Sequence, residues 1–375
     1  MRFMDTFERD RDEPHIPLEE YTKGLRLQLG KEIKHCKKIY LDTNYWLELR
    51  NAELGHAKDD SFTNLLMLLK SEVEYGNIIC PISDENYYEI LKQTDPDTLQ
   101  VSTKLIDELS NGVALIGPEE RIQFEILYFI QSTIYGEESV YSPDEFIWTK
   151  VAFIYGTQHP HNSIFSEEEQ LIIQKAFYDQ MWSKTMCDMI NTIGIDRIYK
   201  MPKFKDITPK LNEDKVKYAH ENNSFKKLFL SEIAGSVDCY KPLFEDAMIY
   251  LFEKEYGHKP TDEEIEKTNS GKSIANSIYN LFNLNKLGKY FASIVIGAGL
   301  YASVRLDIQR RFKTNDMSDF RHAQAALPYF DYFFTENSLR DLITRNNLRF
   351  DRKYNCVVES NSCKAVTLVK QFSNS

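Results

Sequence analysis

The stretch "KKIYLDTNYW" (37–46) closes an apolar run, Ile39-Tyr40-Leu41, on an ionised Asp42, with Thr43 and Asn44 behind it. A carboxylate at the carboxyl end of a buried strand stands where open α/β sheets take their ligands. A plain Asx turn would use the same residue for one local hydrogen bond. The acidic pattern recurs. Glu85 and Glu89 in "ISDENYYEIL" are four apart and share a face if that segment is helical. "NDMSDFRHAQAALPYFDYFFTEN" supplies Asp316 and Asp319 at the start of one helical pattern, and Thr335-Glu336-Asn337 at the end of a strand pattern. In a parallel sheet such strand ends lie on one edge, so acids far apart in the chain can converge. Carboxylates gathered without His or Cys suit a hard divalent cation. Without one they would repel each other and raise at least one pKa.

The elements that must position these acids alternate from 37 to 116. Ile39–Leu41 reads as a buried strand. "SFTNLLMLLKSEVEYG" reads as a helix with Ser61 as N-cap and Gly76 as its stop. "NIICPIS" (77–83) is a second strand and "DENYYEILKQ" a second helix; "DPDTLQVSTKLIDELSNG" is a third helix, leading to "VALI" (113–116). Strands separated by helices of this length indicate a parallel sheet with crossover helices. From about 119 to 300 the pattern turns helical, with capping-box spacings at Ser142/Glu145, Ser166/Glu169 and Thr261/Glu264. The run "SPDEFIWTKVAF" is read as part of that helical region. The α/β character returns with "SDFRHAQAAL" as a helix, "YFDYFFTEN" (329–337) as a strand, "SLRDLITRNN" as a helix and "YNCVVES" as a last strand.

The 375 residues suggest roughly two domains. A hydrophobic content of 42% and an aromatic content of 13% give ample core and leave no room for a long disordered region. The formal charge of −11 argues against a broad electrostatic footprint for nucleic acid, while allowing a local basic strip. Cys36, Cys80, Cys187, Cys239, Cys356 and Cys363 form no CxxC pair and read as reduced thiols. The N-terminus has no apolar leader, and the most apolar window, 290–304, is too short to span a bilayer and reads as a buried helix. A soluble, cytoplasmic protein without a membrane partner is expected.

In order, "IYLDTNYW", "ISDENYYEIL" and "DMSDFRHAQAALPYFDYFFTEN" resemble the motifs of PIN-domain nucleases. The resemblance covers 37–116 and 312–360, under half of the chain. It implies a three-layer α/β/α PIN-like domain with a central parallel sheet. The helical pattern at 119–300 is more than a minimal domain of that family needs and reads as a mostly α-helical insertion that splits the domain into 37–118 and 301–375, with 1–36 as an N-terminal arm. It implies that Asp42, Glu89 and Asp319 are catalytic and bind Mg²⁺ or Mn²⁺, with Asn337 at the fourth position. Thr43 and Asn44 would fix the Asp42 loop and Thr335 the other turn. The family's pattern has Asp where Asn337 stands, and Glu336 or Asp316 could replace that charge. The activity implied is phosphodiester hydrolysis, on RNA before DNA, as an endoribonuclease. The resemblance extends to the toxin of a toxin–antitoxin or defence pair, with an antitoxin or other protein partner and a homo-oligomer among the expected assemblies. The insertion is left open as a lid, a dimer surface or a partner-binding module.

Plainer assignments stand beside these. Glu89 and Glu85 could be solvated helix residues, and Asp319 a first-turn acid favoured by the helix dipole. His322 reads as a buried, hydrogen-bonded histidine rather than a general base. "HPH" (159–161) reads as a loop. Arg310, Arg311 and Lys313 before the acidic cluster, and Arg340 after it, are candidate phosphate contacts. "YKMPKFKDITPK" (199–210) has the composition of a single-strand contact loop. Two rivals remain: a non-catalytic PIN-like RNA-binding or scaffold protein, and a haloacid-dehalogenase-like phosphatase. The latter needs a second Asp two residues after the first, where this chain has Asn44.

Overall fold

A computed structural model describes residues 3–12, 15–198, 200, 205–221, 224–268, 270–284, 286–287 and 290–374. Its strands are β1 (Lys37–Leu41), β2 (Ile78–Ile79), β3 (Val113–Leu115), β4 (Trp148–Lys150), β5 (Tyr332–Phe334) and β6 (Val357–Glu359). The remainder is mostly helical. Four strands form a parallel sheet in the order β2-β1-β5-β6, so β1 and β5, from opposite ends of the chain, lie side by side at its centre. Their register pairs Ile39 with Tyr332 and Leu41 with Phe334. This register brings the end of "IYLD" level with the end of "YFFT".

The expected second strand is interrupted. Cys80 gives its N–H to the Leu109 carbonyl and Pro81 has none to give, so the ladder stops after Ile79. Pairing resumes at Ile82, which bridges β3 in parallel, and β3 then pairs antiparallel with β4. Strand β4 is a departure from the expected helix. The Ser142/Glu145 box forms, but its helix ends at Phe146, and Trp148 and Thr149 are drawn into the ladder beside Val113–Leu115. The helix expected to begin at Ser61 is capped two residues earlier, by the Asp59 carboxylate on the Ser61 N–H. The boxes at Ser166 and Thr261 form as expected.

Alternation along β1 sends Ile39 and Leu41 to one face and Tyr40 to the other. The first face packs on helices Thr43–Glu53, Asp60–Glu74 and Pro96–Ser110. The second packs on Ala292–Leu306 and Asp316–Ala326. Ala292–Leu306 is the apolar window expected to be a buried helix, and it is one. It crosses the expected boundary at 300, and a Cβ at Gly299 would lie 2.5 Å from the Phe350 ring, so only glycine allows that approach. No helix among the described residues is long and apolar enough to cross a membrane. The segment expected as an arm is largely packed helix. Arg9 and Tyr21 bind Asp179, and Arg26 binds Glu120, tying the described part of this segment to the helical region.

Candidate metal centre

Asp42 follows β1 directly, and its N–H continues the ladder to the Phe334 carbonyl at 3.0 Å. It is also the N-cap of Thr43–Glu53: Oδ1 accepts from the Tyr45 N–H at 3.0 Å. The turn and the buried strand-end acid are therefore one arrangement. Burial pushes the Asp42 carboxyl up, although His322, the Thr335 hydroxyl and the Tyr45 N–H favour the ion; Glu336 pushes it further up. Thr335 is buried in the turn after β5 and gives its N–H to the Glu359 carbonyl at 3.0 Å, while its hydroxyl reaches back to the Asp42 carboxylate. Asn44 does not support it, because its side chain is exposed and makes no hydrogen bond to the described residues.

Asp319 lies in the first turn of Asp316–Ala326, half-buried. Burial raises its carboxyl to about 7 against the pull of His322, and the negative charges of Asp42, Glu336 and Asp316 add to the rise. Asp42, Asp319 and Glu336 thus share one electrostatic field although they come from opposite ends of the chain. Glu336 is exposed at the N-cap of Asn337–Ile343.

Glu89 has a different environment. Burial alone would raise its carboxyl, but the His322 ring at 3.1 Å, with Ser318 at 2.6 Å and the Thr43 hydroxyl, lowers it to about 2. Ser318 Oγ also lies 2.7 Å from Glu85 Oε1, and its single proton serves one carboxylate at a time. Glu85 accepts a second bond from Arg321 at 3.3 Å. His322 is buried, as expected: Nδ1 meets the Tyr40 hydroxyl at 2.6 Å, and that hydroxyl meets Ser83 Oγ at 2.6 Å. Burial disfavours the imidazolium, but Glu89, Asp42 and Glu85 outweigh it and raise its pKa. The Asp84–Ile90 helix is fixed by the Ser83/Asn86 capping box, and Asn86 binds the Leu41 carbonyl at 3.0 Å.

Other sequence candidates have local partners. Asp316 is buried against Arg310 at 2.8 Å and the Lys313 N–H at 2.9 Å, which accounts for Asp316 without a metal and for Arg310 without a phosphate. Arg340 bonds the Val358 carbonyl at 3.4 Å and lies 3.9 Å from Glu359. Asn337 accepts from the Ser360 hydroxyl at 2.5 Å. Arg311 and the Lys313 side chain face solvent. The "HPH" segment is an exposed loop, and Tyr199 and Phe204 lie outside the described residues. Sequence reasoning missed Tyr40, Ser83, Ser318 and Arg321. Ser318 stands inside the "DMSDF" motif, but its acidic partners are 229 and 233 residues away.

Among the described residues no group of three or more His, Cys, Asp or Glu is placed to hold a metal ion. The donor chemistry nevertheless suits a hard cation, because Asp42, Asp319 and Glu336 are all-oxygen and mutually repelling. Glu89 would join only by releasing His322. Compared with family models, curated proteins and solved structures, the chain matches none.

Proposed function

We propose that this chain is a Mg²⁺- or Mn²⁺-dependent nuclease, an endoribonuclease with a three-layer PIN-like domain split by a helical insertion. The observation that carries the reading is the pairing of the β1 and β5 ends, which sets Asp42 beside the Thr335-Glu336 turn, with half-buried Asp319 raised by the charges of Asp42 and Glu336. Acids held together at such a cost are poised for a cation that removes the repulsion. Asp42, Asp319 and Glu336 would hold the ion, with Glu89 behind them.

When bound, such an ion activates water and neutralises charge developing on a phosphodiester. The chain's own residues do the rest. Tyr45 N–H and the Thr335 hydroxyl orient the Asp42 carboxylate. His322 supplies compensating positive charge between Asp42 and Glu89. Arg311 and Lys313, exposed beside the Asp316 turn, would meet the RNA backbone. A cytoplasmic toxin of a toxin–antitoxin or defence pair, with an antitoxin partner or a homo-oligomeric form, belongs to the same reading.

The test is cleavage of a labelled RNA with Mg²⁺, Mn²⁺ or EDTA, alongside Mn²⁺ calorimetry on the Asp42→Asn variant. Metal-dependent cleavage and Mn²⁺ binding, both lost in the variant, are expected; metal-independent cleavage would overturn the reading. A second reading, a PIN-like RNA-binding scaffold, draws on Glu89 being paired with His322 and Asn337 with Ser360, so that both positions have partners within the chain. RNA binding with no Mn²⁺ binding at millimolar concentration would favour it.

A further inference from the structure

A cavity of about 1040 Å³ shares no residue with the acid edge. It opens between helices Leu18–Glu32, Pro118–Tyr135 and Lys241–Tyr256 and is at the upper end of the size range for ligand sites. One wall is aromatic: Phe124 stacks on Phe146 at 5.5 Å with an interplanar angle of 14°, and Tyr141 meets Phe146 edge-on at 5.2 Å. The Lys23 ammonium lies 5.7 Å and 5.4 Å from the centres of the Tyr141 and Phe146 rings. Deeper in the cleft, buried Arg26 pairs with Glu120. Lys23, Arg26 and Lys254 face Glu19 and Glu120, so the cleft carries a net positive charge in a chain whose formal charge is −11.

These features select a ligand. An aliphatic chain would press hydrocarbon onto the Arg26–Glu120 pair and desolvate it without recompense. A bare anion would leave the exposed Tyr141 ring in water. A ligand that carries both a flat ring and an anion satisfies the two: the ring stacks on exposed Tyr141 and the anion meets Lys23 and Lys254. We propose that this cleft binds a nucleotide, at a site distinct from the acid edge. The cleft is linked to that edge at two points. Arg121, beside Glu120, pairs with Asp84 at 3.4 Å at the start of the helix bearing Glu85 and Glu89. Tyr155, two residues before Thr157 on the cavity wall, gives its hydroxyl to the Asp84 carbonyl at 3.2 Å.

The experiment is calorimetry of the full chain with AMP and ATP in EDTA, which excludes cation-dependent binding at the acid edge. Adenosine and inorganic phosphate serve as the half-ligands. Sub-millimolar binding of a nucleotide is expected, with each half-ligand weaker by about tenfold or more. A Lys23→Ala/Lys254→Ala double variant with an unchanged melting temperature should lose about tenfold in affinity, and Asp319→Asn should bind as the parent does. The absence of nucleotide binding up to millimolar concentration would overturn the proposal. So would unchanged affinity in the lysine variant, or affinity lost in Asp319→Asn. None of these outcomes bears on RNA cleavage.

Discussion

The two ends of the acid edge carry similar residues in opposite electrostatic states. At one end Asp42, Asp319 and Glu336 face one another, and burial with like charge holds Asp319 near 7. At the other, Glu89 and Glu85 have His322, Ser318 and Arg321 as partners, and Glu89 falls to about 2. The difference lies in the partners, because Asp319 and Glu89 are both largely removed from water. A satisfied carboxylate stabilises the fold; an unsatisfied one destabilises it until a cation arrives. In the proposed function the first end would be the cation site and the second its support.

The largest effect expected from breaking this contrast is on catalysis. Asp42→Asn should leave the fold intact, since an Asn oxygen still accepts from the Tyr45 N–H. It should lower metal-dependent RNA cleavage by about 10³-fold, several kcal/mol of lost charge stabilisation; parental turnover would remove the mechanism. Next is the supporting end. Glu89→Gln strands a buried imidazole, and denaturant unfolding should show a loss of about 3 kcal/mol at neutral pH. Glu89 is depressed in the fold, so its contribution is present above its ordinary value of 4.5 and is lost as pH falls toward about 2. The gap between parent and variant should close over that window.

How much of this was legible depended on whether the signal was local. "IYLD" and "YFFTEN" announced their strand ends because apolar runs stop abruptly at polar residues. Helix Asp316–Ala326 and the burial of His322 followed from small-residue spacing. Strand β4 was hidden: the capping box at Ser142 is real, but the fate of Trp148–Lys150 is set by β3, more than 30 residues earlier in the chain. Pro81 was visible, yet its effect on the ladder requires knowing which N–H the neighbour needs. The partners of Glu89 and Asp316 were the least legible, since proximity in the fold decided that one acid meets His322 and the other Arg310.

A third prediction reverses the usual sign of a site mutation. Asp319 is raised above its ordinary value of 3.8, so its ionisation costs nothing below that value and the full penalty above about 7. Asp319→Asn should therefore abolish cleavage while raising metal-free stability at about pH 8 by roughly 1–3 kcal/mol, with little gain at about pH 4. Unfolding curves at the two pH values check it. A variant less stable at the higher pH would show that Asp319 is not repelled by its neighbours.

The smallest effect separates charges that face the solvent from those held within the fold. Arg310 is bound to Asp316, so Arg310→Ala should reduce stability through the buried Asp316 it leaves behind. Arg311 and the Lys313 side chain are exposed on the same turn. Arg311→Ala or Lys313→Ala should leave stability unchanged and weaken RNA binding slightly. Each should reduce the slope of log affinity against log salt by about 0.7, the value for one contact with a single-stranded phosphate. Fluorescence titration on the Asp42→Asn background, across several salt concentrations, reads the slope without cleavage interfering. Equal slopes in parent and variants would place the RNA path elsewhere on the edge; an effect confined to Arg310→Ala would mean that Asp316 releases its partner when RNA binds.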